Sequence, residues 1–271
     1  MSRSGRRDLT TIIAVAITIA AALAMVAITE VQSARRVKPP KPTPVVTPVA
    51  WSEEFTSGMG AFTGIDHDYG VTHVTPIQCV VTGGNLELQA RYIGEGQFDS
   101  CMARTALTFD HGYFETRMQF PYGDYDAAFW LRRPDTYASP RDEIDIVEAY
   151  PTDYSGCPGP TKYQATMHYV SGGSLLYRQV THDAGHSLVG EWHTYGAEWL
   201  SGNRLTFYMD GVALPEAGNP ITSNVIAASP FNIVFSLAVG SWCEPEPNVP
   251  TETPTLGVMR ADYARWYEAK P

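Results

Sequence analysis

The globular part of this sequence is short of basic residues. Residues 51–271 contain twelve Lys and Arg against twenty-seven Asp and Glu, which is a formal charge of −15, whereas residues 1–50 carry +5. Proteins bind nucleic acid largely by neutralising phosphates with basic side chains, so this charge excludes nucleic acid as the expected partner. Neutral ligands such as sugars remain compatible with it.

Long amphipathic helices are also missing after Trp51. No stretch with the helical spacing of apolar residues exceeds ten residues, and there is no alternation of strands with helices and no internal repeat. Short segments with strand-like alternation recur instead between turn residues, at 86–92, 112–120, 204–211, 231–240 and 261–269. Many short strands of this kind predict an all-β fold in which two antiparallel sheets form a sandwich.

The N-terminus resembles a signal for export. Arg3, Arg6 and Arg7 precede the uncharged segment 10–29, which is long enough to cross a membrane as a helix. We expect residues 1–37 to form a cytoplasmic basic tip with a signal-anchor or a signal peptide, which sends the domain to the cell surface or the extracellular space. This apolar helix would lie outside the domain and hold it at the membrane if uncleaved. A buried core helix is the alternative.

A proline-rich stretch follows the apolar segment. Five prolines lie between Lys38 and Val49, a composition that favours extended polyproline II over a packed core. We therefore interpret residues 38–50 as a linker and residues 51–271 as one globular domain, which is long enough to bury a full core.

The four cysteines have neither CxxC spacing nor a histidine cluster beside them, so we do not expect a zinc site. An even number of cysteines in an exported domain indicates two disulfides, although four cysteines allow three connectivities. We favour the pairs Cys79–Cys101 and Cys157–Cys243.

The stretch DEIDIVE holds four carboxylates in seven residues. In a β-strand, side chains alternate between faces, so Glu143 and Asp145 share one face and the isoleucines share the other. Strict alternation would place Glu148 among apolar side chains, which is costly for a carboxylate without a partner. A β-bulge of one residue at Ile146 or Val147 would return Glu148 to the polar face.

This spacing suits the hydrolysis of a glycosidic bond. With the bulge, the Cα atoms of Glu143 and Glu148 lie roughly 13 Å apart, which leaves about 5 to 6 Å between carboxyl groups that reach inward. This separation is typical of retaining glycosidases, in which one carboxylate attacks the anomeric carbon and the other protonates the leaving oxygen. Asp145 lies between them and can help keep one Glu ionised and the other protonated. A solvated acidic strand edge is the simpler alternative.

Several further segments, in order along the chain, support the catalytic interpretation. EIDIVE resembles the ExDxxE motif of glycoside hydrolase family 16 in the bulged form of laminarinase-like β-1,3-glucanases. The other similar segments are WSEEF at 51–55, HGYFETRMQFPYG at 111–123, AAFWL at 127–131, WHTYGAEWLSGNRLTFYMDG at 192–211, PFNIVFSLAVGSW at 230–242 and ADYARWY at 261–267. The resemblance implies a β-jelly roll with an open polysaccharide cleft, in which Glu143 is the nucleophile, Asp145 its helper and Glu148 the general acid/base.

The resemblance also implies residues that bind the sugar chain. Trp130 matches an aromatic residue that stacks on a sugar ring, although a core tryptophan is the alternative. Trp242 matches a cleft-lining tryptophan and His168 a histidine near the catalytic end of the sugar, and both also suit structural roles. Two departures affect specificity, because Asp126 stands where many laminarinase-like members have Trp, and Met102 where they have Arg.

A structural calcium ion is frequent in the family, and Glu54, Gly84 and Asp262 occupy comparable places with oxygen ligands that suit it. No organic cofactor is implied. We expect a monomeric retaining endo-β-glycosidase that hydrolyses polysaccharide, with β-1,3-glucan or mixed-linkage β-1,3-1,4-glucan as the first choice. A transglycosylase on β-glucans and a non-catalytic glycan-binding sandwich are the alternatives.

Overall fold

The structure of the protein is a computed structural model that describes residues 47–69, 71–134, 142–151, 156–201, 204–222, 230–240 and 257–271. All of these residues belong to one compact unit. Among them there is no helix with the length and apolar character needed to cross a membrane. The apolar segment 10–29 and most of the predicted linker lie outside the described residues.

The described residues form nineteen β-strands and one turn of 3₁₀ helix at Pro76–Gln78. The strands are β1 (Trp51–Glu53), β2 (Phe62–Gly64), β3 (His67–Tyr69), β4 (Thr72–Val74), β5 (Cys79–Thr82), β6 (Asn85–Gly94), β7 (Gln97–Ser100), β8 (Met102–Thr105), β9 (Gly112–Gln119), β10 (Tyr125–Arg132), β11 (Glu143–Ala149), β12 (Lys162–Ser171), β13 (Ser174–Asp183), β14 (Trp192–Leu200), β15 (Arg204–Met209), β16 (Val212–Ala213), β17 (Ile221–Thr222), β18 (Asn232–Val239) and β19 (Gly257–Tyr267). The predicted all-β class is confirmed, and each of the five predicted strand segments lies on a strand.

The strands pair into two sheets. The seven-stranded sheet has the order β13-β12-β11-β10-β18-β8-β2. The twelve-stranded sheet has the order β16-β15-β14-β9-β19-β6-β7-β4-β3, while β1, β17 and β5 pair with β19, β15 and β6 beside this path. Between the described strands, only β4 and β7 pair in parallel. Because neighbours in a sheet are often distant along the chain, as β10 and β18 are, this is the predicted jelly-roll sandwich.

Alternating side chains build one core to which both sheets contribute. In β9, Phe114 and Met118 are fully buried, whereas Arg117 between them is half-buried on the opposite face. From the seven-stranded sheet, Phe129 of β10 and Phe235 of β18 stack with their ring centroids 5.0 Å apart. These apolar side chains belong to a single buried cluster. The other face of the seven-stranded sheet is therefore available for polar residues.

A tight turn and a disulfide support this arrangement. Asp210 and Gly211 have φ values of 48° and 75°, the left-handed conformation that a two-residue hairpin between β15 and β16 requires. The predicted disulfide between Cys79 and Cys101 is present. Cys157 is also disulfide-bonded, and Cys243, its predicted partner, lies outside the described residues.

Candidate active site

The strand β11 contains a β-bulge between its carboxylates. Successive residues of β10 pair with Val147 and then with Asp145, so Ile146 between them has no partner there. The pairing of β11 with β12 also shifts by one residue between Asp145 and Glu148. Ile146 and Val147 are both buried in the core. The extra residue thereby returns Glu148 to the face of the sheet that points away from the core, at the position where the sequence predicts the bulge.

A cleft of about 280 Å³ lies on this face of the seven-stranded sheet. Most of its lining side chains come from every second residue of adjacent strands. They are Glu143, Asp145 and Glu148 of β11, Asp126, Ala128, Trp130 and Arg132 of β10, Ser236 and Ala238 of β18, and His67, Val74 and Met102 beside them. The structure therefore brings the three predicted carboxylates together in one cleft.

Glu148 is a cleft carboxylate whose pKa is shifted toward neutrality. Burial raises the pKa of Glu148 to about 7, and the nearby charge of Glu143 acts in the same direction. Two hydrogen bonds oppose this effect on the pKa. The Tyr150 hydroxyl donates to Oε1 at 3.1 Å, and the Thr166 hydroxyl donates to Oε2 at 3.4 Å. A carboxyl group with a pKa of about 7 can give and take a proton near neutral pH.

At the other end of the bulge, Asp145 and His168 form a close pair next to Glu143. His168 Nε2 lies 3.1 Å from Asp145 Oδ2, and Asp145 is almost fully buried. The β11–β12 register places His168 directly opposite Glu143. Each of these three residues offers one nitrogen or oxygen atom that could bind a metal ion, and these three atoms all lie within 4.8 Å of one another. His168 therefore lies beside the acids on the strand that follows the motif, while its contact with a sugar stays a prediction. These three residues are the described side chains best placed to hold a cation.

Trp130 lines the cleft but exposes little of its ring. It is 7% exposed and packs with Met102 and other apolar residues on the cleft side of the sheet. Its indole Nε1–H donates a hydrogen bond to Ser236 Oγ at 3.1 Å, and the Arg132 guanidinium lies 5.7 Å from the ring centroid. Trp130 is consequently part of the cleft floor, and its stacking on sugar stays a prediction. Trp242 lies outside the described residues.

The predicted calcium ligands have other partners. Both carboxylate oxygens of Glu54 bind Arg265, at 2.9 and 2.8 Å, and this hydrogen bonding lowers the pKa of Glu54. Asp262 binds Arg117 at 2.8 Å. Gly84 lies in the turn between β5 and β6. With each carboxylate already neutralised by an arginine, this donor set does not fit a calcium ion, which remains a prediction of the sequence resemblance alone.

Several cleft residues are not identifiable as such in the sequence. Asp126, which stands where many laminarinase-like members have Trp, places its carboxyl group in the cleft lining together with Glu148. Tyr150 and Thr166 hold the Glu148 carboxyl group, and Arg132 is a fully buried cation in the cleft lining. Asp126, Trp130 and Arg132 are separated by even numbers of residues along β10, and this spacing is the one sequence signal that could have indicated their common face.

Two glutamates on one face of an open cleft, one of them with a pKa raised toward neutrality, form an arrangement typical of enzymes that cleave glycosidic bonds. The model of the glycosyl hydrolases family 16 matches residues 66–265 of the chain. The chain belongs to this family, and the protein is a glycoside hydrolase.

Solved structures with the same fold include glucan-cleaving enzymes. The family 16 enzyme of the mixed-linkage glucan locus of Bacteroides ovatus, in complex with a G4G4G3G product, is 22% identical with a TM-score of 0.68, over 80% of this chain and 99% of that one. The laminarinase from Flavobacterium sp. UMI-01 is 19% identical with a TM-score of 0.63, and the match covers 81% of this chain and 100% of that one. A structure reported with endo-acting O-glycanases of the human gut microbiota is 20% identical with a TM-score of 0.67, and the match covers 85% of this chain and 94% of that one. No curated protein sequence matches the chain.

Proposed function

We propose that the protein is a retaining endo-β-glycosidase that hydrolyses a neutral β-glucan, either β-1,3-glucan or mixed-linkage β-1,3-1,4-glucan. The observation that carries this proposal is the placement of Glu143 and Glu148 on one cleft face of the bulged strand β11. The similarity to a laminarinase and to a mixed-linkage glucanase supports the substrate class. The charge of −15 on residues 51–271 favours a neutral polymer over a sulfated or uronic one.

In the proposed mechanism, the Glu143 carboxylate attacks the anomeric carbon while Glu148 donates its proton to the glycosidic oxygen. The bond between carbon and oxygen breaks, the rest of the polymer leaves as an alcohol, and a glycosyl ester of Glu143 forms. The Glu148 carboxylate then takes a proton from water, which attacks the same carbon and releases Glu143. Two inversions leave the product with the original β configuration.

Asp145 and His168 are proposed as positioning residues for this cycle. His168 Nε2 lies 3.1 Å from Asp145 Oδ2, and this close contact would hold the carboxylate between the two glutamates. Burial and the negative charge of Glu143 raise the pKa of Glu148 and so help keep Glu148 protonated before cleavage. In the proposed cycle, Glu143 acts as the attacking carboxylate and Glu148 as the acid, so the two glutamates have different roles.

We also propose that the monomeric domain acts at the cell surface or in the extracellular space. The support is the basic N-terminus followed by the uncharged segment 10–29 and the proline-rich linker. A polysaccharide does not cross a membrane unaided, so an exported location would give the domain access to its substrate. Mass spectrometry of the mature N-terminus tests this, because an intact terminus indicates a membrane tether and a new one indicates a cleaved signal peptide.

The central experiment incubates the purified protein with laminarin, lichenan, xyloglucan and agarose and resolves the products. We expect short oligosaccharides from laminarin or lichenan, with the β anomer appearing first by NMR. Glu143→Gln and Glu148→Gln should each lose about 10²- to 10⁴-fold in activity, whereas Glu191→Gln, which alters an exposed acid outside the cleft, should not.

Other outcomes would replace the proposal. Full activity of Glu143→Gln would remove its role as nucleophile, and an α anomer appearing first would indicate inversion. Products longer than the starting chain would indicate a transglycosylase. Retardation of the protein by a polysaccharide without any product would indicate a glycan-binding sandwich.

A further inference from the structure

Asp126 is an acid that the proposed mechanism does not use, although it lies in the same cleft. It stands on β10 two residues before Ala128, and Ala128 pairs directly with Glu148 of β11. Asp126 and Glu148 both line the cleft. On one face of a sheet, diagonal neighbours of this kind are roughly 7 to 8 Å apart at their backbones, which is within reach of one hydroxyl group placed between the two side chains.

One oxygen of Asp126 has no partner in the part of the protein that the structure describes. Oδ1 is shielded from solvent and forms no hydrogen bond. Two neighbours of Asp126 also face the cleft: Ala128 on the same strand and Ala238, which pairs with Asp126, on β18. Neither alanine has a polar side-chain atom that could bind Oδ1. A buried polar atom without a partner destabilises a fold, and proteins seldom retain one that has no use.

The charges around Asp126 favour its protonated form. Burial raises the pKa of Asp126 well above its usual value, and the charges of Glu148 and Glu143 raise it further. The other titratable or charged side chains that line the cleft are Asp145, Arg132 and His67. A protonated carboxyl group offers one O–H donor and keeps an acceptor. A sugar hydroxyl group has the same two capacities, so the two groups can form a reciprocal pair of hydrogen bonds.

We propose that Asp126 is a specificity-determining residue whose carboxyl group binds a hydroxyl group of the sugar held against Glu148, donating one hydrogen bond and accepting another at Oδ1. This inference rests on the proposed glycosidase function and identifies one contact within that cleft. It implies selection for glycans with a free hydroxyl group at that position. A glycan in which this hydroxyl is substituted or absent would leave the carboxyl group unpaired and bind more weakly.

The test compares Asp126→Ala, Asp126→Asn and the control Glu191→Ala with the wild-type protein. On the glucan that the wild type cleaves best, Asp126→Ala should lower kcat/KM by about 10- to 100-fold, and Asp126→Asn, which keeps a donor and an acceptor, should lose less. The melting temperature of Asp126→Ala should rise by about 2 to 4 °C, because an unpaired polar group is removed. A purely structural role predicts the opposite change in melting temperature.

Gel retardation by each polysaccharide separates this inference from the proposed function. Hydrolysis by the wild type with unchanged kcat/KM in Asp126→Ala would overturn the role of Asp126 and leave the glycosidase standing. Retardation without hydrolysis, weakened in Asp126→Ala, would overturn the glycosidase and leave the sugar contact standing. Neither hydrolysis nor retardation of the wild type would overturn both. A melting temperature that falls together with activity in Asp126→Ala would identify a structural residue and overturn the inference.

Discussion

Replacing Tyr150 by Phe should extend the activity of the enzyme to higher pH. The Tyr150 hydroxyl donates to Glu148 Oε1 at 3.1 Å, and this bond is the stronger of the two that lower the pKa of Glu148 against the effect of burial. Because the bond is stronger to the carboxylate than to the neutral acid, its loss favours the protonated form. The pKa of Glu148 should therefore rise from about 7.

The size of the shift follows from the strength of such bonds. A hydrogen bond to a charged group contributes about 1.5 to 3 kcal/mol, and a bond between neutral groups contributes about 1 kcal/mol. The difference, about 0.5 to 2 kcal/mol, corresponds to about 0.4 to 1.5 pH units at about 1.4 kcal/mol per unit. As a general acid, Glu148 works only when protonated. A higher pKa of Glu148 therefore moves the alkaline limb of the profile of kcat/KM against pH to higher pH.

The assay is kcat/KM as a function of pH from about pH 5 to about pH 9, on the polysaccharide that the wild type hydrolyses fastest. The matched control is Tyr208→Phe, because the Tyr208 hydroxyl donates to Glu198 at 3.2 Å within the twelve-stranded sheet, away from the cleft. That variant should keep the wild-type profile. An alkaline limb that stays in place in Tyr150→Phe would refute the assignment of Glu148 as the general acid.

Three further predictions concern stability. Calorimetry should show Glu148→Gln to be more stable than the wild type by about 1 to 3 kcal/mol above about pH 7, because the raised pKa of Glu148 makes the folded wild type bind more protons than the unfolded chain between about pH 4.5 and about pH 7. This gain in stability should disappear below about pH 4.5. A gain that persists there would contradict the link between the pKa of Glu148 and stability. Replacing Cys79 and Cys101 together by Ser opens a cross-link with a sequence separation of 22 and should lower the free energy of unfolding by about 3 kcal/mol, whereas an unchanged urea midpoint would show that the link contributes nothing. Neither EDTA nor added calcium should change the melting temperature, since arginines neutralise Glu54 and Asp262; a lower melting temperature in EDTA would restore both as ligands.

The placement of the three acids could be predicted because it depends on local rules. Strand alternation puts Glu143 and Asp145 on one face, and the cost of burying an unpaired carboxylate requires an extra residue before Glu148. The Asp210-Gly211 turn is equally local, since only a few residue types tolerate its backbone conformation. In each case the physical constraint acts within a handful of residues along the chain.

The partners of these residues could not be predicted, because distant segments supply them. Trp130 donates to Ser236, 106 residues away, which holds the ring on the cleft floor. Glu54 binds Arg265, which is 211 residues away. The sequence alone does not show this contact, so Glu54 resembles a metal ligand until the fold is known. The position of Asp126 beside Glu148 likewise depends on the register between β10 and β11, for which the bulge is decisive.

The bulge in β11 links the stability of the sheet to the chemistry of the cleft. It places two consecutive apolar side chains, Ile146 and Val147, in the core where a regular strand would place one. Burial of one such side chain stabilises a fold by about 1.5 to 3 kcal/mol. An unpaired buried polar group costs about 1 to 3 kcal/mol, which is the range expected for the Oδ1 atom of Asp126 in the adjacent strand. The extra residue thus brings Glu148 onto the cleft face and also offsets the cost of concentrating carboxyl groups there, so one local irregularity makes an acidic cleft compatible with a stable sandwich.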